Sequence, residues 1–146
     1  MIKSDLAVEC FLRGFNCAQA VLSTYGPELG IDQNTALKTA GPFGGGMGRM
    51  GEVCGAVTGA FMAIGLKYSM TKAGEEELRN KGYELVRSFS EKFKSKHCSI
   101  KCMDLLKADI STPEGYKQAA ENKLFRTICP ALVKDASIIL EELIEP

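Results

Sequence analysis

The chain has 146 residues, of which 45% are apolar and 25% are charged, and its formal net charge is zero. These values are typical of a globular protein with a buried core, and they exclude a chain that is disordered throughout. Because there is no basic surplus, the composition favours neither a nucleic-acid partner nor a membrane surface. We therefore expect a single domain over residues 1–146.

Charged side chains at Lys3, Asp5 and Glu9 interrupt the segment where a signal peptide would be apolar. The longest uncharged apolar segment, residues 53–66, is shorter than the roughly 20 residues that a membrane-spanning helix needs. We therefore expect a cytoplasmic protein with no membrane partner. In a reducing cytoplasm, six cysteines are more typical of metal ligands or redox-active thiols than of structural disulfides.

Polar capping residues mark the first three predicted helices. Ser4 is expected to cap a helix that Gly14 ends, and Asn16 to cap a second helix with Cys17 in its first turn. Asp32 is expected to cap a short third helix. These segments carry apolar residues at helical spacing, so we expect them to pack together.

A glycine-rich loop over residues 41–52 precedes a fourth predicted helix, which is expected to start at about Gly51 and to carry Cys54. Small residues recur every four positions along this helix, at Gly55, Gly59 and Ala63. Such stripes let neighbouring backbones approach closely. Because the segment also lacks charge, we predict a central helix surrounded by protein.

The second half of the chain continues with helices. An amphipathic helix is predicted over residues 75–96. Its apolar stripe is expected to comprise Leu78, Tyr83, Leu85, Val86, Phe89 and Phe93. Ser99 is expected to cap a short helix that carries Cys102, and Thr112 is expected to cap a further helix. Cys129-Pro130 is expected to open the last helix. No segment alternates with a period of two residues, so we predict an all-α helical bundle around the central small-residue helix.

Four of the six cysteines, Cys17, Cys54, Cys102 and Cys129, lie within about a turn of a predicted helix start. The positive end of the helix dipole and the free N–H groups there favour a thiolate and lower the pKa of a thiol. The placement suits a nucleophilic thiol, a redox dithiol and a metal or cluster ligand equally. The alternative is a cysteine buried as a small apolar residue, for which mid-helix Cys10 is the best candidate.

Two neighbouring residues leave alternatives open. Cys98 lies four residues before Cys102, so both thiols lie on one face if they share a helix. His97 is the only histidine, and it is either a polar cap near a helix end or a ligand.

Several known motifs are absent from the sequence. No C-x-x-C occurs, so a thioredoxin-like dithiol, a zinc ribbon and covalent haem are not supported. Residues 46–51 formally fit G-x-G-x-x-G, but the preceding segment is predicted to be a helix and no acidic residue follows about 20 positions later. The sequence therefore gives little support to nucleotide binding.

The glycine loop instead offers backbone that can wrap closely around a bound group with its N–H groups pointing inward. The alternative is a tight connection between two packed helices. We take Gly44, Gly45, Gly46, Gly48 and Arg49 as the candidate cofactor-binding residues. Arg49 could pair with a thiolate, with Glu52 or with a bound anion.

Five segments carry a resemblance to a known family: residues 15–19 (FNCAQ), 44–51 (GGGMGRMG), 54–59 (CGAVTG), 99–102 (SIKC) and Cys129. In this order, over about residues 6–143, the chain resembles the C_GCAxxG_C_C family of redox-active proteins, named for its spaced cysteines and a Cys-Gly-Ala-x-x-Gly motif. The resemblance implies that Cys17, Cys54, Cys102 and Cys129 are the family's four cysteines. It also implies a cysteine-bound group, above all an iron–sulfur cluster, because such a domain is similar to the non-haem domain of split-Soret cytochromes. This sequence lacks the haem-attachment residues of those cytochromes, so no haem is expected.

We therefore predict a redox or electron-transfer protein that holds an iron–sulfur cluster of unspecified type on three or four of these cysteines. The four thiols should converge in the fold with residues 44–51 beside them. A metal-free thiol–disulfide protein and a zinc- or copper-thiolate protein remain alternatives. No set of catalytic residues stands out, since a single histidine offers few general bases. The redox partner protein is not indicated, and the uncharged small-residue helix makes a homodimer one expected assembly.

Overall fold

The computed structural model describes residues 2–144, which are all-α, as the sequence predicts. The α-helices are α1 (Lys3–Leu12), α2 (Cys17–Tyr25), α3 (Gln33–Ala40), α4 (Gly55–Lys67), α5 (Glu76–His97), α6 (Cys102–Leu106), α7 (Pro113–Glu121), α8 (Leu124–Thr127) and α9 (Cys129–Ile144). Short 3-10 helices cover Pro27–Leu29 and Gly41–Phe43. None of the helices described is both long and apolar enough to cross a membrane.

Helix α4 lies at the centre of the bundle, where it packs against α2, α5 and α9, and the prediction of a central small-residue helix is confirmed. A Cβ atom added to Gly55 would lie 2.9 Å from the backbone nitrogen of Ala18, so the absence of a side chain lets α2 approach this closely. The helix begins at Gly55 and not at about Gly51 as predicted. The preceding residues are held outside it because Val53 forms an antiparallel β-bridge with Lys101.

Three of the predicted caps are confirmed. Asn16 and Gln19 form a capping box at the start of α2, with side chains and backbone N–H groups bonded reciprocally. Asp32 accepts a hydrogen bond from the N–H group of Thr35 at the start of α3, and Thr112 caps α7. These caps are local interactions within four residues, which is why the sequence predicts them.

Two of the predicted caps are wrong. Helix α1 begins two residues earlier than expected, with Ile2 at the N-cap, so Ser4 lies inside it and its buried hydroxyl has no hydrogen-bond partner. Lys101, and not Ser99, is the N-cap of α6. The Ser99 hydroxyl instead accepts from the N–H group of Lys101 and donates to Asp104, which orders the turn before the helix.

Helix α5 covers one side of the bundle with Leu85, Phe89 and Phe93, which are buried. Leu78 and Tyr83, predicted in the same stripe, are 38% and 60% exposed. Tyr83 directly follows buried Gly82, so it lies about 100° around the helix from the buried face. Leu78 lies in the first turn of α5, before the first buried residue of the stripe, Gly82.

Candidate functional site

All four cysteines at helix starts line one cavity of about 670 Å³. Cys54, Cys102 and Cys129 are buried, and Cys17 is half-buried. The structure therefore brings together the four thiols that the sequence singles out. Whether they hold a metal or cluster stays a prediction.

Each thiol is fixed by the start of a different helix, as predicted. Cys17, Cys102 and Cys129 are the first residues of α2, α6 and α9, and Cys54 is the N-cap of α4. The capping box of Asn16 orients the first of these, because it sets the direction in which α2 starts. The starts of four helices that are distant in sequence therefore meet at this cavity.

A short backbone ladder joins the segments that carry Cys54 and Cys102. The amide of Cys54 donates to the carbonyl of Ile100 at 2.8 Å, and the amide of Cys102 donates to the carbonyl of Glu52 at 2.6 Å. These bonds flank the β-bridge and hold the two cysteines side by side.

The glycine loop forms one wall of the cavity, where Gly44, Gly45, Gly46, Gly48 and Arg49 are among the lining residues. Gly46 has a positive φ of 68°, and a Cβ atom there would lie 2.7 Å from the Cβ atom of Cys102. Only glycine therefore allows this approach. The amides of Gly48 and Arg49 donate to the carbonyls of Pro42 and Gly44 within the loop. For these two residues the expected inward-pointing N–H groups are not found.

The thiol of Cys54 is the one whose ionised form the site favours. Its pKa is lowered, chiefly because the Cys17 side chain donates a hydrogen bond to it. Burial opposes this shift, but the backbone N–H groups of Ala56 and Val57 in the first turn of α4 add to it. The prediction that a helix start lowers the thiol pKa therefore holds in direction for Cys54.

The same prediction is wrong for Cys17 and Cys102. The pKa of Cys17 is raised well above its ordinary value by hydrogen bonds with Cys129 and Cys54, with burial adding to the effect. Burial is also the main reason that the pKa of Cys102 is raised to about 12, and the charges of Cys54 and Cys129 add to it. Crowding and desolvation of the thiols thus outweigh the helix dipole at these two positions.

Across residues 2–144, no three His, Cys, Asp or Glu side chains are arranged so that they could hold a single metal ion. The four thiols line a common space without surrounding one point in it. The predicted ligand set is therefore gathered in one cavity, but it is not arranged as a preformed single-ion site.

Tyr116, Phe125 and Arg126, which no sequence pattern indicates, join Arg49 in lining the cavity. The Arg49 guanidinium lies over the Tyr116 ring at 4.1 Å from its centroid, and the rings of Tyr116 and Phe125 are 5.3 Å apart. Arg126 is also among the lining residues. Arg49 forms no ion pair with Glu52, so that expected pairing is not found. No local signal could have found this group, because α7 and α8 reach the cavity only through tertiary packing.

The other two cysteines and the histidine lie outside the cavity. Cys10 is buried in the main core with its sulfur atom 3.6 Å from the Ser23 hydroxyl oxygen, as its apolar role predicts. Cys98 is the exposed C-cap of α5, in a left-handed conformation, and does not share a helix with Cys102. His97 Nε2 lies 2.8 Å from a carboxylate oxygen of Asp135, so this histidine joins α5 to α9 outside the cavity.

The fold and the cavity together define a class, a small helical protein with a centre of four cysteines from four helices. The chain belongs to the family described as "Putative redox-active protein (C_GCAxxG_C_C)", whose sequence model matches residues 15–143. This confirms the resemblance stated above. A search of curated proteins and a search of solved structures gave no match.

Proposed function

We propose that this protein is an electron-transfer protein that holds an iron–sulfur cluster on Cys17, Cys54, Cys102 and Cys129. One observation carries the proposal, namely that four thiols from four separate helix starts line a single cavity. Four cysteine thiolates are the usual ligand set of [2Fe–2S] and [4Fe–4S] clusters.

The donor set and the shape of the cavity fit such a group. A cluster spreads its ligands over a wider span than a single ion does, and the cavity of about 670 Å³ has space beside the thiols for such a group. Gly46 keeps the loop backbone close to Cys102 without a side chain entering the space. When bound, the cluster would supply one-electron transfer.

The residues of the chain would set the properties of this centre. The pKa values of Cys17 and Cys102 are raised, so both are thiols at neutral pH and ligation there would release protons. The pKa of Cys54 is already lowered, in part by the backbone N–H groups of Ala56 and Val57 at the start of α4, and these donors would also act on the bound sulfur atom. Such donors raise the reduction potential because they stabilise negative charge on sulfur.

A second candidate is thiol–disulfide exchange without metal, which the shared cavity of Cys17 and Cys54 and the lowered pKa of Cys54 favour. The Cys54 thiolate would attack a disulfide of a partner and form a mixed disulfide, releasing one partner thiolate. Cys17 would then lose its proton and attack the Cys54 sulfur atom, which releases the second partner thiolate and leaves a Cys17–Cys54 disulfide. The partner disulfide gains the two electrons that the two cysteines lose. For a zinc or copper site, no observation adds support.

The deciding experiment is anaerobic purification followed by iron and sulfide analysis and visible absorption spectroscopy. We expect iron and sulfide in the wild type, and their loss in single Ser variants of the four cavity cysteines. Cys98→Ser is the matched control, because Cys98 is exposed and outside the cavity, and it should keep its iron. A colourless protein without iron after reconstitution would contradict the cluster. In that case, a loss of two free thiols on mild oxidation would support the exchange reaction.

A further inference from the structure

The cavity is larger than a centre of four thiols requires. Its volume of about 670 Å³ lies within the range of roughly 300–1,000 Å³ that is usual for small-molecule sites. Apart from the thiols and the glycine loop, the walls are mainly apolar side chains: Phe11, Leu105, Ile110, Phe125 and Leu132. The space beside the cysteines is therefore suited to the apolar body of an organic molecule.

Apart from the thiols, the charged side chains around this space have one sign. Arg49 and Arg126 are the charged side chains among the described residues that line the cavity, and no Asp or Glu lines it. The chain as a whole carries equal numbers of acidic and basic residues, so this imbalance is local. Two guanidinium groups and no carboxylate make the entrance attractive to an anion.

Both guanidinium groups are available to a ligand. Neither Arg49 nor Arg126 takes part in the ion pairs found within residues 2–144, and both side chains belong to exposed residues. The Tyr116 ring packs against the Arg49 guanidinium, which restrains the position of its N–H donors. A planar guanidinium held in this way is suited to paired hydrogen bonds with a carboxylate, sulfonate or phosphate group.

We propose that the cavity binds a small organic anion whose acidic group contacts Arg49 and Arg126 and whose aromatic or aliphatic body lies along the apolar wall, beside the four thiols. The inference rests on the proposed function only in that both concern the same cavity. Apolar walls disfavour an inorganic anion, and two unpaired cations at the entrance disfavour a neutral or cationic molecule.

The probe is naphthalene-2-sulfonate, titrated by isothermal calorimetry into the full chain as purified under anaerobic conditions, with the neutral 2-naphthalenemethanol as its matched partner. We expect the sulfonate to bind about tenfold more tightly than the alcohol, because charge-assisted hydrogen bonds are stronger than neutral ones. Arg49→Gln and Arg126→Gln should each weaken sulfonate binding about fivefold to tenfold and leave binding of the alcohol unchanged.

Arg87→Gln is the matched control, since this exposed arginine of α5 lies outside the cavity, and it should bind both probes as the wild type does. Retained alcohol binding reports that the cavity of each variant is intact. Absence of sulfonate binding, equal affinity for the two probes, or full sulfonate affinity in both arginine variants would each overturn the inference.

Iron and sulfide are measured in the same samples. Selective sulfonate binding by a protein without iron would contradict the cluster alone, whereas iron without sulfonate binding would contradict the anion site alone. The two proposals therefore fail separately.

Discussion

Cys17 and Cys54 line the same cavity, and hydrogen bonding from the Cys17 thiol is the main cause of the lowered pKa of Cys54, so a proton is favoured on the first cysteine and negative charge on the second. Cys17 is half-buried at the start of α2, and Cys54 is buried at the start of α4. The two thiols of this pair therefore have opposite shifts in pKa although they occupy similar helix positions.

Removing the donor should reverse the shift on its partner. In the reduced, metal-free protein, Cys17→Ala is expected to raise the pKa of Cys54, because the Cys17 hydrogen bond is the largest cause of its lowering. The pH dependence of Cys54 alkylation by iodoacetamide, followed by peptide mass spectrometry, measures this pKa. Cys98→Ala should leave the midpoint in place, and an unchanged midpoint in Cys17→Ala would refute the assignment of the donor.

Gly46 should tolerate a methyl group far less well than Gly48. Both have a positive φ, of 68° and 60°, so alanine carries a backbone cost of about 1–2 kcal/mol at either position. Only at Gly46 would the added Cβ atom also collide with Cys102 and Glu52, at 2.7 Å. We expect Gly46→Ala to lower the free energy of unfolding by about 2 kcal/mol more than Gly48→Ala does, as measured by urea denaturation. Equal losses would mean that the loop does not press against Cys102.

Stability should fall in alkaline solution, and Cys102 should contribute to the fall. The pKa of Cys102 is raised from 9.0 to about 12 in the folded state, so the unfolded chain ionises first and gains stability as the pH rises through this range. In the metal-free protein, the contribution of Cys102 is complete below about pH 9 and is lost by about pH 12. Cys54 acts in the opposite direction, because its pKa is lowered in the folded state.

Urea unfolding of the wild type and of Cys102→Ala at a series of pH values isolates this contribution. The variant should lose less unfolding free energy between pH 9 and 12 than the wild type does, whatever its stability at neutral pH. If the unfolding free energies of the two proteins fall in parallel with pH, Cys102 ionises equally easily in the folded and unfolded states.

Loss of the Asn16 cap should affect the site as well as the stability. Its side chain accepts from the N–H group of Gln19 and donates to the carbonyl of Gly41, so it connects α2 to the segment that leads into the glycine loop. We expect Asn16→Ala to cost about 2 kcal/mol, the sum of a cap and a further hydrogen bond, and to change the alkylation rate of Cys17.

Asp32→Ala is the control for capping alone, because Asp32 caps α3 on the exposed surface. It should cost about 1 kcal/mol and leave Cys17 alkylation unchanged. Chemical denaturation and peptide mass spectrometry give both quantities. An unaltered Cys17 rate in Asn16→Ala would argue against a role of the capping box in orienting the thiol.

The sequence predicts those features that short-range interactions determine. The caps at Asn16, Asp32 and Thr112 act within one helical turn. The helix starts at Cys17 and Cys129 follow from local signals of this kind, namely the Asn16 cap and the proline after Cys129. The exact start of α4 was missed because the β-bridge between Val53 and Lys101 joins segments that are distant in sequence.

The same limit applies to the cavity. Tyr116 and Arg126 become part of the site only when α7 and α8 pack beside the glycine loop, and α8 is a single turn with no distinctive pattern. The raised pKa values of Cys17 and Cys102 were also missed, because they arise from contacts between thiols and from burial. Sequence patterns identify the residues that can act as ligands or nucleophiles, whereas tertiary packing determines which side chains surround them.

The distribution of the four cysteines over α2, α4, α6 and α9 has a consequence for the order of events during synthesis. A nascent chain that has emerged only as far as α8 carries three of these thiols and lacks the helix against which α1 and α4 pack. The cavity is therefore closed only after α9 has emerged from the ribosome and docked. A group that all four thiols bind can be fully bound only from that step onward, and a chain truncated before Cys129 would keep three of the four thiols.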